Sequence, residues 1–151
     1  MSPMRLSIAL VLASVLTACS SVPYAQRQQQ RLAAYEAAAG APVRSFRFFP
    51  PMWSWEPLSD TRLVVYTRPT KAWLLDVDGA CQNLEFANAI GLSSNLNQVS
   101  VGFDRVYTGR RYIPCTIMKI RPVDVSKLKI EQAKQREVDS KPRPPATPKG
   151  G

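Results

Sequence analysis

Nothing in this sequence restricts the fold as strongly as Cys81 and Cys115, which stand 34 positions apart in the middle of the chain. A bond between them forces that stretch to return on itself. Closing a loop of this size stabilises the native state by roughly 4 kcal/mol in the chain-entropy account, against the ~5–15 kcal/mol that holds a small domain together. No C-x-x-C spacing accompanies the pair, and the chain contains no histidine. A structural disulfide is therefore expected in preference to a redox or metal-binding pair. The missing histidines also remove imidazole acid–base chemistry, Ser-His and Cys-His nucleophiles, and nearly all zinc sites. With 151 residues in total, few catalytic designs remain, and the sequence predicts no enzyme, no cofactor and no metal.

The third cysteine explains why the other two should be oxidised. Arg5 provides a positive start, the eleven residues Leu6 to Leu16 form an apolar run, and Leu16-Thr17-Ala18-Cys19 follows directly. The L-T-A-C string resembles the bacterial lipobox. Residues 1–18 read as a lipoprotein signal peptide, after whose removal Cys19 carries a thioether-linked diacylglycerol as the new N-terminus. Eleven residues at ~1.5 Å rise cover only about 16 Å of a ~30 Å hydrocarbon core, so a membrane-spanning helix is not expected. Several acyl chains, each contributing about 0.8 kcal/mol per buried CH₂, would anchor the protein permanently. Ser20, rather than an aspartate, follows Cys19. The expected location is thus the cell envelope, lipid-anchored in the outer membrane and facing the periplasm, where thiols become disulfides.

Charge is positive, at +9 over the chain. Ten basic and seven acidic residues lie between Pro42 and Val125, and seven basic and three acidic from Ser126 to Gly151, so the C-terminal part is the more basic. Nucleic acid is the usual partner of a strongly basic chain, but an exported lipoprotein would not meet it. The expected partners are the membrane itself, through lipidated Cys19, and an envelope protein or an anionic envelope polymer. A solubilising tail explains the same charges without a partner.

Between these ends the pattern predicts residues 19–41 as lipid anchor and helical tether, 42–125 as a disulfide-stapled globular domain, and 126–151 as a basic helix with a Pro-rich tail. Pro23 and Gly40 bracket a helix near Tyr24 to Ala39 that has only a thin apolar stripe. Phe46/Phe48 and Trp53/Trp55 alternate as in strands, and Pro50-Pro51 prevents their merging. These aromatics read as core in preference to a sugar-stacking surface. Arg62 to Thr67 and Lys71 to Val77 form a hairpin around Arg68-Pro69-Thr70. Leu84, Ala87 and Ile90 suggest a short helix from Cys81 to Gly91. Val99 to Phe103 alternates and runs on towards Tyr107, and Arg111 to Val123 reads as a final strand after a turn near Thr108-Gly109. Ser126 would cap a helix to Asp139. The fold class is α+β: a small antiparallel sheet or partly open barrel of four to five strands with one short inserted helix.

Candidate chemistry is sparse. Leu74-Leu75-Asp76-Val77-Asp78-Gly79 looks like the D-x-D-G nucleophile motif of haloacid-dehalogenase-type phosphatases, with Asp76 attacking and Asp78 acting as acid/base. Too little chain follows for that fold, and a strand ending in a polar turn explains the residues better. Asp104 beside Arg105 reads as a turn or a surface ion pair in preference to a catalytic acid. Arg105, Arg110, Arg111, Lys119 and Arg121 lie on neighbouring strands and would bind an anion if they shared a face. Finally, Trp73-Leu74-Leu75, Cys81, Leu84, Ala87, Ile90-Gly91-Leu92, Phe103-Asp104-Arg105-Val106, Cys115, Ile117, Ile120 and Arg121-Pro122-Val123-Asp124 resemble a family of small, functionally uncharacterised proteobacterial lipoproteins. That resemblance spans Trp55 to Asp124 and implies no catalytic or binding residues. The sequence thus favours a non-enzymatic envelope lipoprotein that binds or supports another envelope component. The alternatives are a binding module for lipopolysaccharide or cell wall, and a small phosphatase-like enzyme using Asp76 and Asp78.

Overall fold

Ten elements follow one another along the chain in the computed structural model, which describes residues 22–79 and 81–140. The signal segment, Cys19 and the Pro-rich tail from residue 141 lie outside the described residues. The order is α1 (Tyr24–Ala38), β1 (Ser45–Arg47), β2 (Ser54–Ser59), β3 (Arg62–Arg68), β4 (Lys71–Val77), β5 (Gly91–Leu92), β6 (Gln98–Ser100), β7 (Arg105–Tyr107), β8 (Cys115–Val123) and α2 (Val125–Ser140). Six strands pair antiparallel in the order β2-β3-β4-β8-β7-β5 and curl into a half-barrel, and β1 and β6 form a separate two-stranded ribbon. None of the described helices is long and apolar enough to cross a membrane.

Both faces of the central strands are covered, which is why Leu63-Val64-Val65 and Leu74-Leu75 read as continuous apolar runs. Leu63, Val65, Leu75, Val77, Ile117 and Ile120 face the ribbon, packing with Phe46, Phe48, Val99, Leu84, Val106 and the disulfide. Phe46 stacks on Trp73 with ring centroids 4.7 Å apart. Val64, Ala72, Leu74 and Val123 face the other way, where Ala34, Tyr35 and Ala38 of α1 and Leu128 of α2 cover them.

Helix α1 follows Pro23 closely as expected, but it does not stand apart from the domain. Its C-terminal end joins β8, with Gly40 N–H donating to Pro122 O at 2.8 Å. Its middle meets the far part of α2, where Gln135 Nε2 donates to Gln30 O at 2.6 Å. At α2 the cap is Asp124 rather than Ser126: its Oδ1 accepts from the N–H groups of Ser126 and Lys127 at 2.9 and 3.0 Å. Asp124 N–H in turn donates to Ala38 O at 3.0 Å, so the two helices start and stop together as an antiparallel pair.

The architecture departs from the expected one in three places. The short inserted helix from Cys81 to Gly91 is absent; residues 82–90 form a turn and loop with Asn83 at φ 64°, and only Leu84 of its apolar residues is fully buried. Eight short strands in two sheets replace the expected four to five: β1 and β2 are separate strands, Gly91–Leu92 pairs as β5, and Val99 to Tyr107 divides. Gly102 at φ 79° turns the chain there, so that β6 joins the ribbon and β7 joins the main sheet. The last strand begins at Cys115, not Arg111. The hairpin of β3 and β4, the separation of β1 from β2 by Pro50-Pro51, and the α+β class are as expected.

Candidate functional site

Three loops leave the same end of the main sheet: residues 60–61, 78–90 and 108–114. The second and third are tied together. Cys81 is bonded to Cys115 with Cα atoms 4.7 Å apart. Thr108 Oγ1 donates to Gln82 O at 2.8 Å, and Gly91 pairs with Tyr107. Each loop is thus fastened at both its ends to the other, and between the fastenings Phe86, Tyr112 and Ile113 stand exposed beside Arg110 and Arg111.

The five expected anion-binding cations do not form one basic patch. Lys119 and Arg121 lie on the helix side of β8, where Asp76 Oδ atoms sit 3.5 Å from Lys119 Nζ, from an Arg121 terminal nitrogen and from Arg62 Nε. Arg62 also pairs with Glu36 of α1. That cluster joins β3, β4, β8 and α1, and sequence reasoning missed the contributions of Arg62 and Glu36 because they come from elements distant in the chain. Arg105 is opposite Thr116 on the exposed side of β7, and Arg110 and Arg111 are in the stapled loop. Among the described residues these three carry no ion pair.

The two aspartates of the phosphatase-like string are both engaged. Asp76 is held by its three cations, and Asp78 Oδ2 accepts from Thr116 N–H at 3.1 Å. Neither lines the open cleft of about 630 Å³ between α1, β2 and the stapled loop, whose walls include Tyr24, Arg27, Arg31, Trp55, Glu56 and Glu85. Asp104, 6% exposed, accepts from Ser93 Oγ and Ser100 N–H, each at 2.7 Å. It closes the turn between β6 and β7, as the sequence suggested. The aromatic stretch divides: Phe46 and Phe48 are core, Trp55 is half-buried, and Phe49 and Trp53 are exposed.

Beneath the cleft, α1 is held to the sheet by polar groups. Arg31 Nε pairs with Glu56 Oε1 at 3.0 Å, and Tyr35 donates to Glu56 Oε2 at 3.0 Å while sharing a 2.8 Å hydrogen bond with the Tyr66 hydroxyl. Burial above all raises the Tyr35 phenol far above its ordinary value, and the Tyr66 hydrogen bond and the Glu56 charge act in the same direction. Tyr66 is also raised, chiefly by burial.

What fold and loops define is a small α+β half-barrel with a helix pair on one face, a ribbon on the other, and a disulfide-stapled pair of loops at one end. The sequence matches the model of a family of unknown function, DUF6491, over residues 2–139, and the chain belongs to that family. No curated protein and no solved structure matches it.

Proposed function

We propose that this protein is a non-enzymatic cell-envelope lipoprotein, anchored through Cys19 in the outer membrane and facing the periplasm, that binds or supports another envelope component. The observation that carries the reading is the Cys81–Cys115 bond together with the L-T-A-C string. A staple across the central loops suits an oxidising compartment, and the string supplies the route there. The intact mass of the mature protein from native membranes tests both. A chain starting at acylated Cys19 that gains two alkyl groups only after reduction supports the reading. An unacylated mass, or thiols free before reduction, overturns it. A phosphatase-like activity through Asp76 and Asp78 is the least supported alternative, since both carboxylates already have partners.

A second reading, binding of an anionic envelope polymer, draws on Arg105, Arg110 and Arg111, which lack acidic partners among the described residues. Lys119 and Arg121 contribute less to it because Asp76 offsets their charge. Binding to lipopolysaccharide or cell-wall sacculi that weakens steeply with salt is expected on this reading. Salt-insensitive binding, or none, removes it.

A further inference from the structure

The antiparallel pairing of α1 and α2 decides which end of the domain meets the membrane. Ala38 is bonded to Asp124 at one end of the pair, and Gln30 Nε2 reaches Asp139 Oδ1 at 3.1 Å towards the other. Residue 140 therefore lies on the side where α1 begins. That side is also where the stapled loops project, because Tyr24 and Arg27 share the walls of one cleft with Glu85 of the 78–90 loop. Three things thus converge at one end of the molecule: the start of α1, five positions after Cys19; the end of α2 at Ser140; and the two stapled loops.

The loops have the surface chemistry of a bilayer interface. Phe86 and Ile113 are 78% and 62% exposed, although the loops that carry them are fastened by a disulfide and a buried threonine. Arg110 and Arg111 precede Tyr112 and Ile113 directly and have no acidic partner among the described residues. Apolar and aromatic side chains entering the headgroup layer, flanked by arginines that meet lipid phosphates, is how proteins lie on a membrane without crossing it. Asp60 and Glu85 are the exposed acids of the loops at this end, and Glu137 and Asp139 are those of the last turn of α2.

We propose that the stapled loops, with the start of α1, form a membrane-facing surface whose occupant is the anionic phospholipid headgroup layer. The proposal rests on the anchored reading for its orientation, but not for its chemistry. Anchoring at Cys19 leaves only a short connection before Tyr24, so the loops are held at the bilayer. Two arginines on a pre-formed patch then bind anionic headgroups, each contributing about fivefold in affinity near a charged surface. The staple ties together the two loops that carry Phe86 and Ile113, so little ordering accompanies contact.

The test uses the mature chain from position 19 carrying Cys19→Ser, so that no acyl chain contributes, sedimented with phosphatidylethanolamine vesicles with and without phosphatidylglycerol. Binding to the phosphatidylglycerol vesicles, lost at high salt, is expected. Arg110→Glu with Arg111→Glu should lower that binding by tenfold or more, and Phe86→Ser with Ile113→Ser should lower it at unchanged charge. Arg47→Glu, on the ribbon, should leave it nearly unchanged. Circular dichroism and urea midpoints equal to the parent's exclude unfolding as the cause. No binding, equal loss from Arg47→Glu, or binding to lipopolysaccharide alone overturns the proposal. Mass spectrometry of the native protein separates the two readings. Acylated Cys19 with no vesicle binding removes the surface alone, and an unacylated chain that still binds removes the anchor alone.

Discussion

Tyr35 does more for this fold than its size suggests. The buried ring packs between α1 and the sheet, and its hydroxyl meets half-buried Glu56 and Tyr66. Tyr35→Phe keeps the packing and removes the hydroxyl, and should cost about 1–2 kcal/mol, since Glu56 keeps Arg31. The raised phenol also makes stability depend on alkaline pH. Below about pH 10 the group is protonated both folded and unfolded. Above it the unfolded chain releases a proton that the native state retains, so stability is full below pH ~10 and falls as pH rises further. Urea midpoints at about pH 8 and about pH 11 should differ more in the parent than in Tyr35→Phe; equal slopes in both would remove this role. Tyr35 was readable in the sequence only as part of a thin helical stripe, because its partners come from β2 and β3. Asp104 was more legible, since its short side chain acts on Ser93 and Ser100 close by in sequence.

Among the elements, those governed by neighbours in sequence were legible and those governed by distant pairing were not. The hairpin of β3 and β4 has its turn at Arg68-Pro69-Thr70, and α1 has Pro23 before it; both are local signals. The stretch from Cys81 to Gly91 showed helical spacing, yet no helix forms. Its first residue is fixed by a bond to β8, Asn83 adopts a left-handed conformation, and after Cys81 only Leu84 is fully buried while Ile90 is half-buried and Phe86 exposed, leaving no continuous apolar stripe to hold a helix down. The ribbon of β1 with β6 joins residues more than fifty positions apart, which no local pattern records. Likewise Lys119 and Arg121 were visible as cations, but their neutralisation by Asp76 depends on the register of β4 with β8. Two element-level outcomes follow. Cys81→Ala with Cys115→Ala should lower the unfolding free energy by about 2–4 kcal/mol in urea, with the loops at 82–90 and 108–114 losing hydrogen-exchange protection first. A loss confined to exchange, with an unchanged midpoint, would show that the staple shapes the loops without supporting the sheet. Asp124→Ala removes the one carboxylate oxygen that accepts from two N–H groups at the start of α2 and should cost about 1 kcal/mol, read in the same titration.

At the scale of the molecule, the central strands force the two packed regions to stand or fall together. Leu74 and Leu75 are adjacent in β4, yet Leu74 packs under the helix pair and Leu75 packs under the ribbon; both are fully buried. Neighbouring Val64 and Val65 divide in the same way on β3. Neither region keeps its own backbone, so unfolding one exposes the other's strands. The expected behaviour is a single transition followed equally by helical circular dichroism, which reports α1 and α2, and by tryptophan fluorescence, which reports Trp55 and Trp73 on the ribbon side. Leu74→Ala and Leu75→Ala should each cost about 2–5 kcal/mol, and each should move both signals to the same lower midpoint. If the helix pair were a separable layer, Leu74→Ala would shift the dichroism transition and leave the fluorescence transition in place. Coincident curves in both variants therefore distinguish one cooperative unit from a half-barrel carrying an independent helical cover, and the shared strands require the former.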